Sequence, residues 1–117
     1  SKSLGLTTQL FLGPDGSGSP MHHHMHAFNI IVYGKKSWTL LPPSERVYSK
    51  IRMKDWTMRP SHQHAAEYHP ESKYECDQEE GDLMFIPNLW AHGVVNHGST
   101  VALALGFSLE NNPELLQ

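Results

Sequence analysis

Imidazole is a common ligand for transition metals, and this chain sets several of them at a spacing suited to a single ion. The segment Ser19-Pro20-Met21-His22-His23-His24-Met25-His26 holds His22 and His24 two residues apart. Side chains on an extended strand alternate between faces, so these two rings point one way and His23 the other. Two imidazoles fall one short of a facial ligand set. His92, at 92 − 24 = 68 residues downstream in Ile86-Pro87-Asn88-Leu89-Trp90-Ala91-His92, supplies the third if the fold lays the two segments side by side. His24 with His26 has the same spacing, so either register is open from the residues alone. A polar strand lining a cleft without metal is the plainer alternative.

Nine histidines are many for 117 residues, but His22 to His26 is no purification tag. It is internal, interrupted by Met25, and runs straight into the apolar stretch Ala27-Phe28-Asn29-Ile30-Ile31-Val32-Tyr33. His62, His64 and His69 lie in a proline-containing excursion from Met58 to Ser72 with no companion cysteines, and are expected to be exposed. Asp82 follows Gly81 in a turn, where a carboxylate caps the turn more readily than it ligates an ion. Cys76 is the only cysteine, so no internal disulfide forms, and it reads as a small buried apolar residue on a strand.

The elements that must position these groups are short and extended. Strands are expected at Thr7 to Leu12 and His22 to Tyr33, a tight reversal at Gly34-Lys35, and a returning strand from Lys36 to Leu41 that ends at Pro42-Pro43. Weak helical or irregular character runs from Ser44 to Trp56. Strands resume at Tyr74 to Gln78 and Leu83 to Ile86 around a turn at Glu79-Glu80-Gly81-Asp82. The last two, Gly93 to Asn96 and Val101 to Phe107, are expected to be joined by a turn at His97-Gly98-Ser99, before a polar tail from Leu109 to Gln117. Short strands separated by Gly and Pro turns point to a small antiparallel barrel or sandwich.

A content of 38% hydrophobic and 18% charged residues suits one globular domain over residues 1–117 with a modest core. A net charge of -3 and a pI of about 6.3 give no broad cationic field, so neither nucleic acid nor an anionic membrane is expected as partner. No apolar run reaches membrane-spanning length. The abrupt start at Ser1, with strand-like sequence almost at once, suggests a fragment of a longer chain lacking some N-terminal elements.

From about Leu10 to Phe107 the chain resembles the jumonji-C (JmjC) branch of the cupin superfamily, the iron- and 2-oxoglutarate-dependent oxygenases. The resemblance is carried by Ser19 three residues before His22, by His22-x-His24, by Asn29, and by the hairpin-like pattern Gly34-Lys35-Lys36-Ser37-Trp38. Cys76-x-Gln78, Gly81-Asp82, Pro87, Trp90-x-His92 and Asn96 complete it in the family's order. It implies an all-β, double-stranded β-helix (cupin or jelly-roll) fold, with His22 and His92 as the two iron imidazoles. By the same resemblance Lys36 grips the distal carboxylate of 2-oxoglutarate, with Ser19 and Asn29 as polar neighbours; otherwise Lys36 is an ordinary exposed lysine. Asn96 either polarises the cosubstrate or pairs with backbone. Trp38 and Trp90 pack against the barrel, Trp90 buttressing His92.

The chain departs from the family at one ligand. Where these oxygenases place an acid it has His24, as one JmjC subgroup similarly does, and the spacing from His22 to Gly34 favours the His22, His24 register. His26 is then a polar group around the site. Three neutral imidazoles leave Fe(II) at a net charge of +2, where a carboxylate would leave +1. The implied function is an Fe(II)- and 2-oxoglutarate-dependent oxygenase of protein-hydroxylase type, acting on a protein or peptide. The alternatives are a catalytically silent JmjC scaffold or metal-binding interaction module, and a three-histidine cupin dioxygenase that leaves Lys36 without a task.

Overall fold

A computed structural model describes residues 3–58 and 72–110. Strand β1 covers Ser3–Gly13, β2 Gly18–His22, β3 His26–Leu41, β4 Tyr74–Gln78, β5 Leu83–Ile86 and β6 Ala91–Glu110. A 3-10 turn covers Pro43–Glu45 and the short helix α1 covers Met53–Met58. The strands are wholly antiparallel, and β3 and β6 form a long central ribbon that both halves share. The first half of β3 and second half of β6 are flanked by β5 and β1; the second half of β3 and first half of β6 are flanked by β4 and β2. One cavity is lined from both halves, with Thr7, Asn29 and Gly106 from one and Ser19, Lys36 and His92 from the other. The sheet therefore folds over on itself into the all-β jelly roll expected.

The ribbon runs through two places where reversals were expected. Gly34-Lys35 is no hairpin: β3 continues through it, its register against β6 shifting on either side of Tyr33, with Gly34 at a φ of 95°. Nor does a turn at His97-Gly98-Ser99 divide β6, whose irregular stretch lies opposite. A bulge uses the same glycine as a tight turn, but inserts residues without reversing the chain. It also changes which residues face inward. Ala27 and Asn29 are buried on the cavity before it and Lys36 and Trp38 after it, while the odd-numbered Leu41 joins the cluster beneath α1. Asn29 and Lys36, seven apart and on opposite faces of a regular strand, thereby share one interior.

His22 to Tyr33 is likewise not one strand: β2 stops at His22, residues 23–25 form a loop, and β3 begins at His26. Cys76 is exposed rather than buried, because among the described residues β4 pairs only with β3 and lies at the edge of the sheet. The expected strands at Tyr74 to Gln78 and Leu83 to Ile86 are as read. Most of the Met58 to Ser72 excursion, with His62, His64 and His69, and the tail after Glu110 lie outside the described residues.

Two apolar clusters hold the roll together. Trp38, Leu40, Ile86 and Val94 pack inside it, with Met84 and Trp90 against them. Met21, Leu41, Val47, Met53, Trp56 and Ala91 fill the space beneath α1. On β1 and the second half of β6 the usual polarity is inverted. Leu6, Leu10, Leu12, Leu103 and Leu105 are exposed, while Thr7, Gln9, Phe11, Ala104 and Gly106 line the cavity. Small and polar residues inside keep the interior open for a ligand.

Candidate metal centre

His22 ends β2 and His92 lies one residue into β6, where the two strands make them direct register partners. Gly18 allows that close approach, since a Cβ there would collide with the Val94 carbonyl. The His22 and His92 ring centroids are 4.2 Å apart. His24, on the loop, sits 5.2 Å from His22 and 4.8 Å from His92. One ligand nitrogen from each of the three lies within 4.8 Å of the others, and no further His, Cys, Asp or Glu joins them among the described residues. An ion with bonds of about 2.1 Å spans nitrogens no more than about 4.2 Å apart, so the set closes slightly to bind one. His24, exposed and off any strand, is the ring free to do so.

Backbone carbonyls fix which nitrogen each ring offers. His22 Nδ1 is 2.7 Å from the Pro20 oxygen, His92 Nδ1 3.0 Å from the Trp90 oxygen, and His24 Nδ1 2.9 Å from the Met25 oxygen. A carbonyl can only accept, so each Nδ1 carries the hydrogen and donates it, leaving Nε2 as the free lone pair. Burial, then the neighbouring His22 ring, push His92 down to about 4. Burial also lowers His22 from its ordinary 6.5. Neutral rings with fixed tautomers are the form a metal ion needs.

The other histidines of the segment are elsewhere. His23 turns away to Tyr48, ring centroids 4.3 Å apart, and its carbonyl accepts from the Tyr48 hydroxyl at 3.0 Å. His26 Nδ1 accepts from the Asn88 amide at 2.9 Å, with its ring against Phe107 and Phe85. The geometry thus brings His22, His24 and His92 together and leaves His26 out.

Lys36 is buried, with its Nζ 5.6 Å from the Phe11 ring centroid. Desolvation lowers its pKa from the usual 10.5, and among the described residues no carboxylate pairs with it. Asn29 is buried on the same cavity, and its Oδ1 has no hydrogen-bond partner. Ser19 lines this cavity as well, whose volume is about 200 Å³. Asn96 does not. It borders a smaller space of about 140 Å³ that also touches Ser19 and Lys36, where its Nδ2 donates to Ser17 Oγ at 3.0 Å and its Oδ1 is unpartnered.

Several neighbours escape a reading of the sequence. Thr7, Gln9 and Phe11 enter the cavity from β1, a strand whose leucines suggest the opposite face is the buried one. Gln78 is buried, accepting from Trp38 Nε1 at 2.8 Å and donating to the Asn29 carbonyl at 2.9 Å and the Asp82 carbonyl at 3.0 Å. Trp90 does not buttress His92 with its ring, which meets Tyr74 at 5.7 Å; the indole beside His92 is Trp38, at 5.9 Å. Asp82 caps its turn as expected, its Oδ2 accepting from the Glu79 amide at 3.0 Å.

A family model described as "Cupin-like domain" matches residues 2–111. Among curated proteins, the "Bifunctional arginine demethylase and lysyl-hydroxylase psr-1" of Caenorhabditis briggsae is 30% identical, over 86% of this chain and 30% of its own length. "JmjC domain-containing protein 8" of Mus musculus is 28% identical, over 86% of this chain and 38% of its own. Among solved structures, YcfD, a ribosomal oxygenase from Escherichia coli, superposes with a TM-score of 0.62 at 17% identity, covering 93% of this chain and 24% of that one. The chain spans about a quarter to a third of the length of the first curated relatives it matches, 23%, 30% and 29%. The fold, the match along nearly its whole length and these relatives place the chain in the cupin-like domain family, within the JmjC branch of the cupins.

Proposed function

We propose that the chain carries the core of an Fe(II)- and 2-oxoglutarate-dependent oxygenase that hydroxylates a protein or peptide side chain. The observation that carries this reading is a buried Lys36, without a carboxylate partner among the described residues, in the same small cavity as three convergent imidazoles. A buried ammonium without an anion is costly, and a dicarboxylate answers it from one end while its other end reaches the histidines. The unpartnered Oδ1 of Asn29 is a second polar atom in want of a ligand. The donor set fits a divalent ion: three imidazoles, each with Nδ1 committed to a carbonyl and Nε2 left free for a metal.

When bound, iron and 2-oxoglutarate supply the oxidation: one atom of O₂ enters succinate as CO₂ leaves, and the other enters a substrate C–H bond as hydroxyl. The chain's residues hold and shield these groups. His22, His24 and His92 hold the ion, and Lys36 Nζ binds the far carboxylate. Ser19 and Asn29 flank the cosubstrate, and Asn96 steadies the Lys36 side of the cavity through Ser17. Phe11, Ile86, Val94 and Ala104 keep the walls apolar, which strengthens the ion contact and excludes water. Relatives named for arginine demethylation, lysyl hydroxylation and ribosomal oxygenation support a protein substrate.

Anaerobically iron-loaded protein is expected to release succinate from 2-oxoglutarate on exposure to air. Turnover no greater than that of His22→Ala refutes the reading. A second reading has one observation in its favour, the absence of any carboxylate from the ligand set among the described residues: a catalytically silent scaffold that keeps the ion and acts through protein contacts. Metal bound without turnover, and activity gained in His24→Asp, would decide for it.

A further inference from the structure

Two of the three candidate ligands are fixed by strand pairing, whereas His24 belongs to no strand and is exposed. What holds it is the turn before β6. Trp90 N–H donates to the Pro87 carbonyl at 3.3 Å, closing a four-residue turn whose third residue, Leu89, has a φ of 67°. Among the described residues Leu89 is the one non-glycine with positive φ. Such a turn ordinarily takes Gly or Asn at this place, and a leucine there is strained. Both central amides face the histidine loop. Leu89 N–H donates to the His24 carbonyl at 3.1 Å, and Asn88 N–H donates to His26 Nδ1 at 2.9 Å. The His26 ring is itself clamped against Phe107 at 5.3 Å and Phe85 at 5.9 Å.

Resting on the metal reading above, we infer that His26 is a positioning residue for His24. Its ring, pinned on the aromatic face, receives the Asn88 amide. That contact docks the Pro87–Trp90 turn so that Leu89 can grip the His24 carbonyl and hold the third imidazole at the ion. The bond at His26 and the strain at Leu89 then have one purpose, giving a loop residue the precision that β-pairing gives His22 and His92. Outer contacts of this kind typically alter metal affinity by 10–100-fold.

The test uses Co(II) alone as probe, with calorimetry for affinity and visible absorption for coordination. His26→Phe keeps a ring for Phe85 and Phe107 to pack on but offers no acceptor, and is expected to weaken Co(II) binding about tenfold or more and change the spectrum. His26→Asn, whose amide oxygen can replace Nδ1, is expected to bind within about threefold of the parent. Asn88→Pro removes the donor at a turn position that suits proline, and is expected to match His26→Phe, giving a second route should that variant fail to fold. Parent-like affinity and spectrum in a folded His26→Phe or Asn88→Pro overturn the inference while leaving the metal reading intact. A parent chain with no affinity for Co(II) overturns both.

Discussion

The economy of the site rests on Lys36, a side chain that the empty fold would be better without. Burial lowers its pKa with no acid to compensate, so Lys36→Met is expected to raise the unfolding free energy of the ligand-free protein by about 1 kcal/mol in urea titrations. The same change is expected to weaken 2-oxoglutarate binding by roughly tenfold to a hundredfold, the worth of a charge-assisted contact of about 1.5–3 kcal/mol, and to leave Co(II) affinity unaltered in calorimetry. The imidazoles give a pH dependence of defined sign. His92 titrates near 4 in the fold and near 6.5 when unfolded, so the unfolded chain takes up its proton first as the pH drops. The metal-free protein is therefore expected to keep this ring's full contribution above pH 6.5 and to lose it, on the order of 3 kcal/mol, between 6.5 and 4, as followed by thermal melts across that range. His92→Phe should flatten that part of the profile.

At the scale of the element, the bulge in β3 sets which residues meet. Gly34 has a φ of 95°, and a Cβ there would press on the Ser99 carbonyl and Thr100. Gly34→Val is expected to cost about 2 kcal/mol or more in chemical denaturation, and to weaken 2-oxoglutarate binding too, since the shift that brings Asn29 and Lys36 to one face is disturbed. The sequence is a fair guide to ligands and a poor one to this bulge. Metal chemistry demands a residue type, which marks the histidines of the 22–26 segment and His92 as candidates, but the choice of His22 with His24 over His24 with His26 rests on the resemblance to the JmjC pattern. Gly34-Lys35 between apolar runs has the composition of a hairpin turn, and only long-range pairing with β6 distinguishes the two. Cys76 departs from its expected burial for a related reason: the apolar character of one side chain does not reveal that its strand lies at an edge. His24 illustrates the converse. Its spacing from His22 suggested a strand, yet the loop delivers it to the same ion site by another route.

For the molecule as a whole, the inverted polarity of β1 explains why its cavity-facing residues were hard to foresee. Leucines usually mark the inside, but here Thr7, Gln9 and Phe11 face the cavity while Leu6, Leu10 and Leu12 are left outward. The β1 pairing has a further consequence. Ser3 is aligned with Glu110 and Gly13 with Thr100, so β1 waits for its partner until almost all of the described chain has been made. The described strands cannot assemble in chain order, and pairing of β1 must wait on a long loop search. Refolding from denaturant should accordingly be slow, on the millisecond-to-second scale of strongly non-local β topologies, as stopped-flow fluorescence of Trp38 and its fellow indoles would record. A nascent chain halted before β6 would leave the leucine-rich β1 without the partner it has in the fold, and should call on chaperones throughout the delay.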